Sequence, residues 1–269
     1  MPRSMPAKLR NIALVSDRYA LQGKFYEAAF GMRTAPDPRP ERAITVSDGY
    51  VWLTINPRKP GRAAGLDHFG LEVDDVLAVV ARLREKYPAV QVVKRPSTRP
   101  FAGISTHDPA GNVFDLSQPD TENRAAVYVE PEAPHPRRIS HLALRTLHAG
   151  PVAEFYAEVF GLQYEKRDDA NFYLTDGAVT LVIMPWRISD YEGTGIVRPG
   201  PDHIGFEVES LAALKERLQK LGDDNPHLRA QPLAGREGEA RMKLFAACCP
   251  LGEHRFADVD GVLLDVAEK

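Results

Sequence analysis

The chain alternates short apolar-polar segments with segments of helical spacing. Leu9–Val15 is predicted to be a strand, and a helix carrying "KFYEAAFGM" follows it, ending at Gly31, where a C-cap is expected. Two strands then flank Asp48-Gly49, a pair typical of hairpins. A strand opening near His68, a second helix "VLAVVARLREKY" and a closing strand pair ending in "NVFDL" complete the order. This succession predicts an α+β fold.

The same order returns in the second half of the chain. "EFYAEVFGL" repeats "KFYEAAFGM", "GPDHIGFEVES" repeats "GLDHFGLEVDD", and "DVDGVLLDV" repeats "DPAGNVFDL". The repeated phrases keep their order, and their separation is largest at the last pair, which we attribute to longer loops in the second copy. A tandem duplication explains this pattern.

A proline-rich and charged stretch with little periodicity separates the two copies, as is typical of a linker. We therefore expect a first module over residues 8–118, a linker over 119–137 and a second module over 138–268. Each module is expected to form a curled sheet with one face covered by its own pair of helices.

The composition narrows the choice of partners. Charged residues make up 26% and hydrophobic residues 43% of the chain, and the net charge of −3 is spread without a strong block of either sign. This argues against nucleic acid or an anionic membrane surface as the main partner. No window approaches about 18 uninterrupted apolar residues, and the first ten residues lack the apolar core of a signal peptide. We expect a cytoplasmic protein that acts on a small molecule.

The two cysteines, Cys248 and Cys249, are adjacent and cannot form an ordinary disulfide framework. They follow an apolar pair of residues. We therefore expect them to be packed thiols rather than nucleophiles.

Strand alternation predicts that one face of the second sheet is polar. Successive side chains of a strand point to opposite faces, so the apolar residues of three strands share one face and the polar residues share the other. The polar face would carry His141, Arg145, His203, Glu207 and Asp265. So many titratable groups on one face favour a ligand-binding cleft. A half-solvated sheet is the alternative.

The phrases "FYE…FGM", "DHFGLEVDD" and "DPAGNVFDL", each present twice, resemble the vicinal oxygen chelate superfamily. This group is also called the glyoxalase, bleomycin-resistance and dioxygenase superfamily. The resemblance covers nearly the whole chain and implies two tandem βαβββ modules whose sheets curl around a cleft. Members commonly hold a divalent metal in that cleft, and some bind ligands without a metal.

The resemblance to type I extradiol dioxygenases implies that His141, His203 and Asp265 are metal ligands. Two histidines and one carboxylate form a facial triad for Fe(II) or Mn(II) that leaves coordination positions open. The glyoxalase-like alternative, with zinc or nickel, draws its ligands from both modules, at Asn11, Asp115, His141 and Asp265. Because Asn11 replaces the first histidine in module one, a single site in module two is favoured.

Three residues depart from the extradiol pattern, one of which is Val259 in place of a proline. Asp265 stands where those enzymes carry a glutamate, and Arg255 stands where a tyrosine is expected to position the oxygen intermediate. His254 and Arg255 are candidates for an acid or base and an anion clamp beside the metal. A solvated loop pair is the alternative for these two residues.

The function favoured by the sequence is a metal-dependent, dioxygenase-like oxidoreductase acting on a small oxygen-rich or aromatic substrate. Residues expected to contact the substrate are Tyr50, Trp52, Phe101, Arg145 and Glu207. Two alternatives stay open: a glyoxalase-like lyase or isomerase, and a metal-free protein that binds a drug or an aromatic compound. The chain could also pair into a homodimer through its sheet edges.

Overall fold

The computed structural model describes residues 6–34, 43–96, 101–119, 136–196, 198–249 and 251–269. Most of the expected linker lies outside these residues. None of the helices in the described ranges is both long and apolar enough to span a membrane.

The strands in these ranges form two sheets, and each sheet is built from one half of the chain. The first sheet has the order β2-β3-β4-β1-β5-β8-β7-β6. Its strands are β1 (Lys8–Ser16), β2 (Arg33–Thr34), β3 (Ile44–Ser47), β4 (Trp52–Pro57), β5 (Gly65–Glu72), β6 (Val92–Lys94), β7 (Ile104–His107) and β8 (Val113–Ser117).

The second sheet repeats this plan with the order β10-β11-β12-β9-β13-β15-β14. Its strands are β9 (Arg138–Thr146), β10 (Gln163–Glu165), β11 (Phe172–Thr175), β12 (Thr180–Pro185), β13 (Gly200–Val208), β14 (His254–Ala257) and β15 (Leu263–Glu268). β13 runs antiparallel to β9 and parallel to β15. The strands that carry His141, His203 and Asp265 are therefore neighbours.

The α-helices occupy corresponding places in the two halves, with two additions in the second. They are α1 (Tyr19–Phe30), α2 (Val76–Lys86), α3 (Ala149–Phe160), α4 (Ile188–Tyr191), α5 (Leu211–Asp224) and α6 (Gly235–Cys248). As expected, α1 and α3 end at glycines in the left-handed conformation, with φ of 71° at Gly31 and 69° at Gly161. Asp75 and Ser210 cap the N-termini of α2 and α5 with their side chains.

The apolar faces of both sheets and the helices share one continuous core. α1 packs on strands of its own sheet and also against α5, and α2 packs against α3, so helices of the two modules meet. Phe30 of α1 stacks on Phe206 of β13 with ring centroids 3.9 Å apart. Each module therefore helps to bury the helices of the other.

The repeated phrases contact one another reciprocally across the two modules. The Tyr26 hydroxyl donates to Asp258 over 2.8 Å, and the Tyr156 hydroxyl donates to Asp108 over 3.2 Å. Burial raises the pKa of both tyrosines well above the ordinary value, as does the neighbouring aspartate, so the hydroxyls stay protonated donors. These buried pairs explain why both copies carry "FY" and a following "D…G" phrase.

The two Asp-Gly turns make a second reciprocal pair of contacts. Asp48 accepts from the Ile139 backbone N–H over 2.6 Å, and Asp176 accepts from the Leu9 N–H over 2.7 Å. Each turn thus satisfies a backbone donor near the start of the other module's first strand. The repeated Asp-Gly motif therefore stabilises the contact between the modules as well as the hairpin turn.

The extra length of module two is not merely loop. The chain between α5 and β14 contains the additional helix α6. Phe245 of this helix belongs to an apolar group with Ala143, Val182 and Met184, on the face of the second sheet turned away from α3 and α5. Module one has no corresponding helix in the described residues. This added helix covers the polar face on which the predicted ligands lie.

Candidate metal centre

Three buried side chains from adjacent strands converge on the polar face of the second sheet. His141, His203 and Asp265, joined by Cys249, each offer a donor atom, and these atoms all lie within 4.8 Å of one another. His141 Nε2 lies 3.6 Å from Asp265 Oδ2, and the two imidazole rings stand at 86° with centroids 5.3 Å apart. The structure thus brings together the three residues that the sequence predicts as metal ligands, and we call these four residues the cluster.

Two glycines make the space that the cluster occupies. Gly205 lies in register with His141 on one side and Asp265 on the other, and a Cβ at Gly205 would lie 1.9 Å from the His141 ring. A Cβ at Gly252 would lie 2.2 Å from Asp265 Oδ1, and the Gly252 N–H donates to Asp265 Oδ2 over 2.8 Å. The glycine of "DHIGFEV" is therefore required by the cluster.

The donor atoms fit a divalent metal ion. His141 Nε2 and His203 Nε2 are buried and have no hydrogen-bond partner among the described residues. Leaving buried polar atoms unsatisfied costs free energy, so such atoms call for a ligand. Two imidazole nitrogens beside a carboxylate form a donor set that binds divalent transition metals. These residues would hold the ion.

A buried carboxylate orients His203. Asp202 lies 2.7 Å from His203 Nδ1 and accepts from Arg145 over 2.7 Å and from Arg241 over 2.6 Å. Burial raises the pKa of Asp202, but the charge of Arg241, the hydrogen bond with His203 and the charge of Arg145 outweigh it and leave the pKa far below its usual range. The anionic carboxylate keeps the proton of His203 on Nδ1, so that Nε2 presents its lone pair to the cluster.

His141 is also in the form that binds metal. Burial lowers the pKa of His141 well below its ordinary value, and the charges of Arg167 and Arg255 lower it further. The ring is therefore neutral at pH 7, with Nδ1 3.1 Å from the Ser140 hydroxyl. A neutral imidazole offers a lone pair without first losing a proton.

Arg255 contacts the carboxylate of the cluster, whereas His254 does not. Arg255 Nε lies 3.1 Å from Asp265 Oδ1, and the two residues are paired across β14 and β15. His254 points to the opposite face, where its ring packs 5.1 Å from that of Phe256. The structure brings Arg255 to the cluster and leaves His254 outside it. Register explains the difference, because neighbouring residues of a strand face opposite sides.

Cys249, at the end of α6, is the donor that the sequence does not reveal. Phe245, one turn earlier, is fully buried, and its ring centroid lies 4.4 Å from that of His203. Burial raises the pKa of the Cys249 thiol to about 12, with a smaller contribution from the Asp265 charge. The four-residue spacing of Arg241, Phe245 and Cys249 was the available signal, because these positions share one face of a helix.

The other predicted contact residues lie in two different places. Arg145 belongs to the buried ion network beside His203, with Asp202 and Asp190 as partners. Glu207 forms an ion pair with Arg138 over 2.8 Å near the end of β13. Neither side chain touches the donor atoms directly, so Arg145 acts through Asp202.

The predicted aromatic residues belong to module one. Trp52 and Phe101 are buried against each other, and the Arg10 guanidinium lies over the rings of Tyr50 and Trp52. Phe101 occupies the space left by Gly70, where a Cβ would come within 2.2 Å of its ring. In module one an aromatic ring thus takes the place that the His141 ring takes in module two.

In module one, the residues that correspond to His203 and Asp265 are His68 and Asp115, and these two residues form an ion pair with each other. His68 lies 2.7 Å from Asp67 and 3.2 Å from Asp115. Burial lowers the pKa of His68, but the hydrogen bonds and charges of Asp115 and Asp67 outweigh it and raise the pKa to about 9. An imidazolium has no lone pair for a metal. A cavity of 550 Å³ adjoins this ion pair.

The ligand set drawn from both modules is not assembled. Asn11 donates to the Trp52 carbonyl over 3.2 Å and to the Thr54 hydroxyl over 2.8 Å, so it is held within module one. Over the described ranges, the cluster is the only group of three or more His, Cys, Asp or Glu donors that converges in this way, and Asp115 is not part of it.

Comparison with known proteins agrees with this fold. The chain is similar to the Mn(II)-bound glyoxalase from Novosphingobium aromaticivorans, with 15% identity, a TM-score of 0.65 and coverage of 98% of this chain and 83% of that one. A catechol 2,3-dioxygenase gives 13% identity, a TM-score of 0.64 and coverage of 98% and 88%. The 2,3-dioxygenase LapB from Pseudomonas sp. KL28 gives 14% identity, a TM-score of 0.62 and coverage of 98% of this chain and 93% of that one.

At these identities the similar structures establish the fold alone. No curated protein matches the sequence. The family model described as Glyoxalase/Bleomycin resistance protein/Dioxygenase superfamily matches residues 8–116 and 138–266. Because these two matches cover most of the sequence, the chain belongs to the glyoxalase/bleomycin resistance protein/dioxygenase superfamily.

Proposed function

We propose that this chain is a metal-dependent, dioxygenase-like oxidoreductase that binds one Fe(II) or Mn(II) ion through His141, His203 and Asp265. The observation that carries the proposal is the convergence of two unpartnered, buried imidazole nitrogens on a buried carboxylate. When bound, the metal would supply coordination positions for an oxygen-bearing substrate and for dioxygen.

The surrounding residues support this function by fixing the ligands. Asp202 holds His203 in one tautomer, and Arg255 holds the Asp265 carboxylate while lying 5.4 Å from the Phe245 ring. Burial of all four cluster residues excludes water from the donor atoms. A cationic guanidinium beside an aromatic ring suits a small aromatic or oxygen-rich substrate.

The alternatives are less well supported. A glyoxalase-like lyase with ligands from both modules would need Asn11 and Asp115, which are engaged within module one. A metal-free binding protein would leave the Nε2 atoms of His141 and His203 buried without partners. Two of the similar structures are a Mn(II)-bound glyoxalase and a catechol 2,3-dioxygenase, which favours a metal but leaves the choice between these reactions to experiment.

The test compares two equivalent substitutions. Protein reconstituted anaerobically with Fe(II) or Mn(II) should retain one metal per chain after desalting, and it should consume oxygen with at least one member of a catechol panel. His141→Ala should lose oxygen consumption and retain the metal poorly after desalting, because the triad loses one of its two imidazole donors. Asn11→Ala, at the matching position of module one, should keep the metal.

The same experiment can reject the proposal. Failure of the wild-type protein to retain any divalent metal would remove its basis. Retention of zinc or nickel, with isomerisation of a thiol adduct and no oxygen uptake, would instead establish the glyoxalase-like alternative.

A further inference from the structure

The cluster contains a fourth donor that the triad does not use. We propose that Cys249 coordinates the same metal ion as a thiolate, giving the centre two imidazoles, one carboxylate and one sulfur. This inference rests on the proposed metal site and adds a ligand to it. The Cys249 donor atom lies within 4.8 Å of those of His141, His203 and Asp265, and Cys249 is fully buried.

Helix α6 holds Cys249 in this position. Arg241, Phe245 and Cys249 follow one another at four-residue intervals and therefore lie on one face of the helix and its C-terminal end. Arg241 donates to Asp202 over 2.6 Å, and Phe245 packs on the His203 ring. The helix face that presents the thiol therefore contacts both the His203 ring and Asp202, the carboxylate that orients His203.

The backbone of Cys249 is fixed on two sides. Its N–H donates to the Phe245 carbonyl over 3.1 Å, and its carbonyl accepts from Arg255 over 3.1 Å. Because Arg255 also contacts Asp265, one guanidinium links the backbone of Cys249 to a second ligand. Contacts on both sides therefore preorganise the sulfur relative to His203 and Asp265.

A role as a packed thiol would not require these polar neighbours. Cys249 does belong to a small apolar core group with Ala143, Val182 and Met184, which accounts for part of its burial. Its sulfur also lies within 4.8 Å of donor atoms of His141, His203 and Asp265. Cys248, the adjacent cysteine, is only partly buried and does not belong to the cluster, so it provides a matched control.

A thiolate ligand would change which metal ions the site prefers and how many coordination positions remain for a substrate. The Cys249 thiol would release its proton to solvent on coordination, and its sulfur would then donate to the ion. Sulfur is a softer donor than nitrogen or oxygen, so its presence favours zinc, cobalt or iron over manganese. Four protein donors also leave fewer positions for a substrate than three. Cys249 would thus set both metal preference and access.

Cobalt(II) absorption tests this ligand in the full-length protein. Wild-type protein loaded with one Co(II) should show the near-ultraviolet charge-transfer band of a thiolate–cobalt bond beside the visible ligand-field bands. Cys249→Ser should lose the charge-transfer band and keep the visible bands, because three ligands remain. Cys248→Ser should keep both. A wild-type protein that binds Co(II) without the charge-transfer band would overturn the inference and leave the proposed triad standing.

X-ray absorption at the cobalt edge gives an answer that depends on no variant. The wild-type spectrum should require one sulfur scatterer at about 2.3 Å in addition to nitrogen and oxygen scatterers. A first shell of nitrogen and oxygen alone would reject Cys249 as a ligand. If the wild-type protein takes up no Co(II) at all, the inference and the proposed metal site fail together.

Discussion

Gly205→Ala should strongly weaken metal binding, although the substitution adds only one methyl group. The new Cβ would lie 1.9 Å from the His141 ring, and real Cβ contacts essentially never fall below 3.0 Å. The ring must therefore move by about 1 Å or the strands must separate. Metal–ligand distances tolerate deviations of only about 0.2 Å, so a displacement of this size removes His141 from the coordination sphere.

The expected magnitudes separate this effect from a general loss of stability. Overpacking a buried site costs about 1–3 kcal/mol of unfolding free energy. Displacing a ligand should weaken metal binding by at least about 100-fold, the upper end of what loss of an outer-shell partner causes. Gly70→Ala is the matched control, since its Cβ would come within 2.2 Å of the Phe101 ring in module one.

The assay measures metal affinity by competition with a chromophoric chelator and stability by urea unfolding, on both variants. Both variants should lose stability, but only Gly205→Ala should lose the metal. Wild-type affinity in Gly205→Ala would show that the His141 ring is not a ligand. Equal loss of affinity in Gly70→Ala would show that metal binding reports only on the stability of the fold.

Three further outcomes are expected. Asp202→Asn should cost about 3–5 kcal/mol in urea unfolding, because it leaves the buried Arg241 without this anion and Arg145 with Asp190 alone. It should also weaken metal binding by about 10–100-fold, and an unchanged affinity would show that Asp202 does not orient His203. Phe245→Ala should cost about 3–5 kcal/mol in the same assay, and a loss below about 1 kcal/mol would show that α6 does not pack firmly on the cluster. The pKa of His68 is raised in the folded state to about 9, above the unfolded value of about 6.5, so its ion pair stabilises the fold fully below about pH 6.5 and is lost as the pH rises through 9. The free energy of unfolding, measured by urea from pH 6 to 10, should show this decline in the wild type and a flatter profile in His68→Gln. Parallel profiles in the two proteins would show that the His68 ion pair does not stabilise the fold.

The sequence was sufficient to predict the two modules and the shared sheet face of His141, His203 and Asp265. The repeated phrases indicated the duplication, and strand alternation placed His141, His203 and Asp265 opposite their apolar neighbours. The partners of the repeated residues were not predictable in the same way. Tyr26 and Asp258 meet across modules, a tertiary contact that no local pattern specifies.

The details of the site that the sequence did not predict depend on strand register and on an added helix. Arg255 rather than His254 faces Asp265 because of the pairing of β14 with β15, and the sequence of the hairpin does not fix that pairing. Cys249 reaches the cluster on α6, which has no described counterpart in module one, so comparison of the two copies gave no indication of it. The aromatic residues Trp52 and Phe101 were expected in a cleft and instead fill the corresponding space of module one.

Anomalous X-ray diffraction from metal-loaded crystals tests the central claim most directly. Data collected on either side of the absorption edge of the bound ion should show one strong peak in module two. That peak should lie about 2.0–2.2 Å from His141 Nε2, His203 Nε2 and an Asp265 oxygen. Crystals soaked in Fe(II), Mn(II), Zn(II) and Co(II) in turn that show no peak between these atoms, or show one only at another place, would contradict a metal centre formed by this cluster.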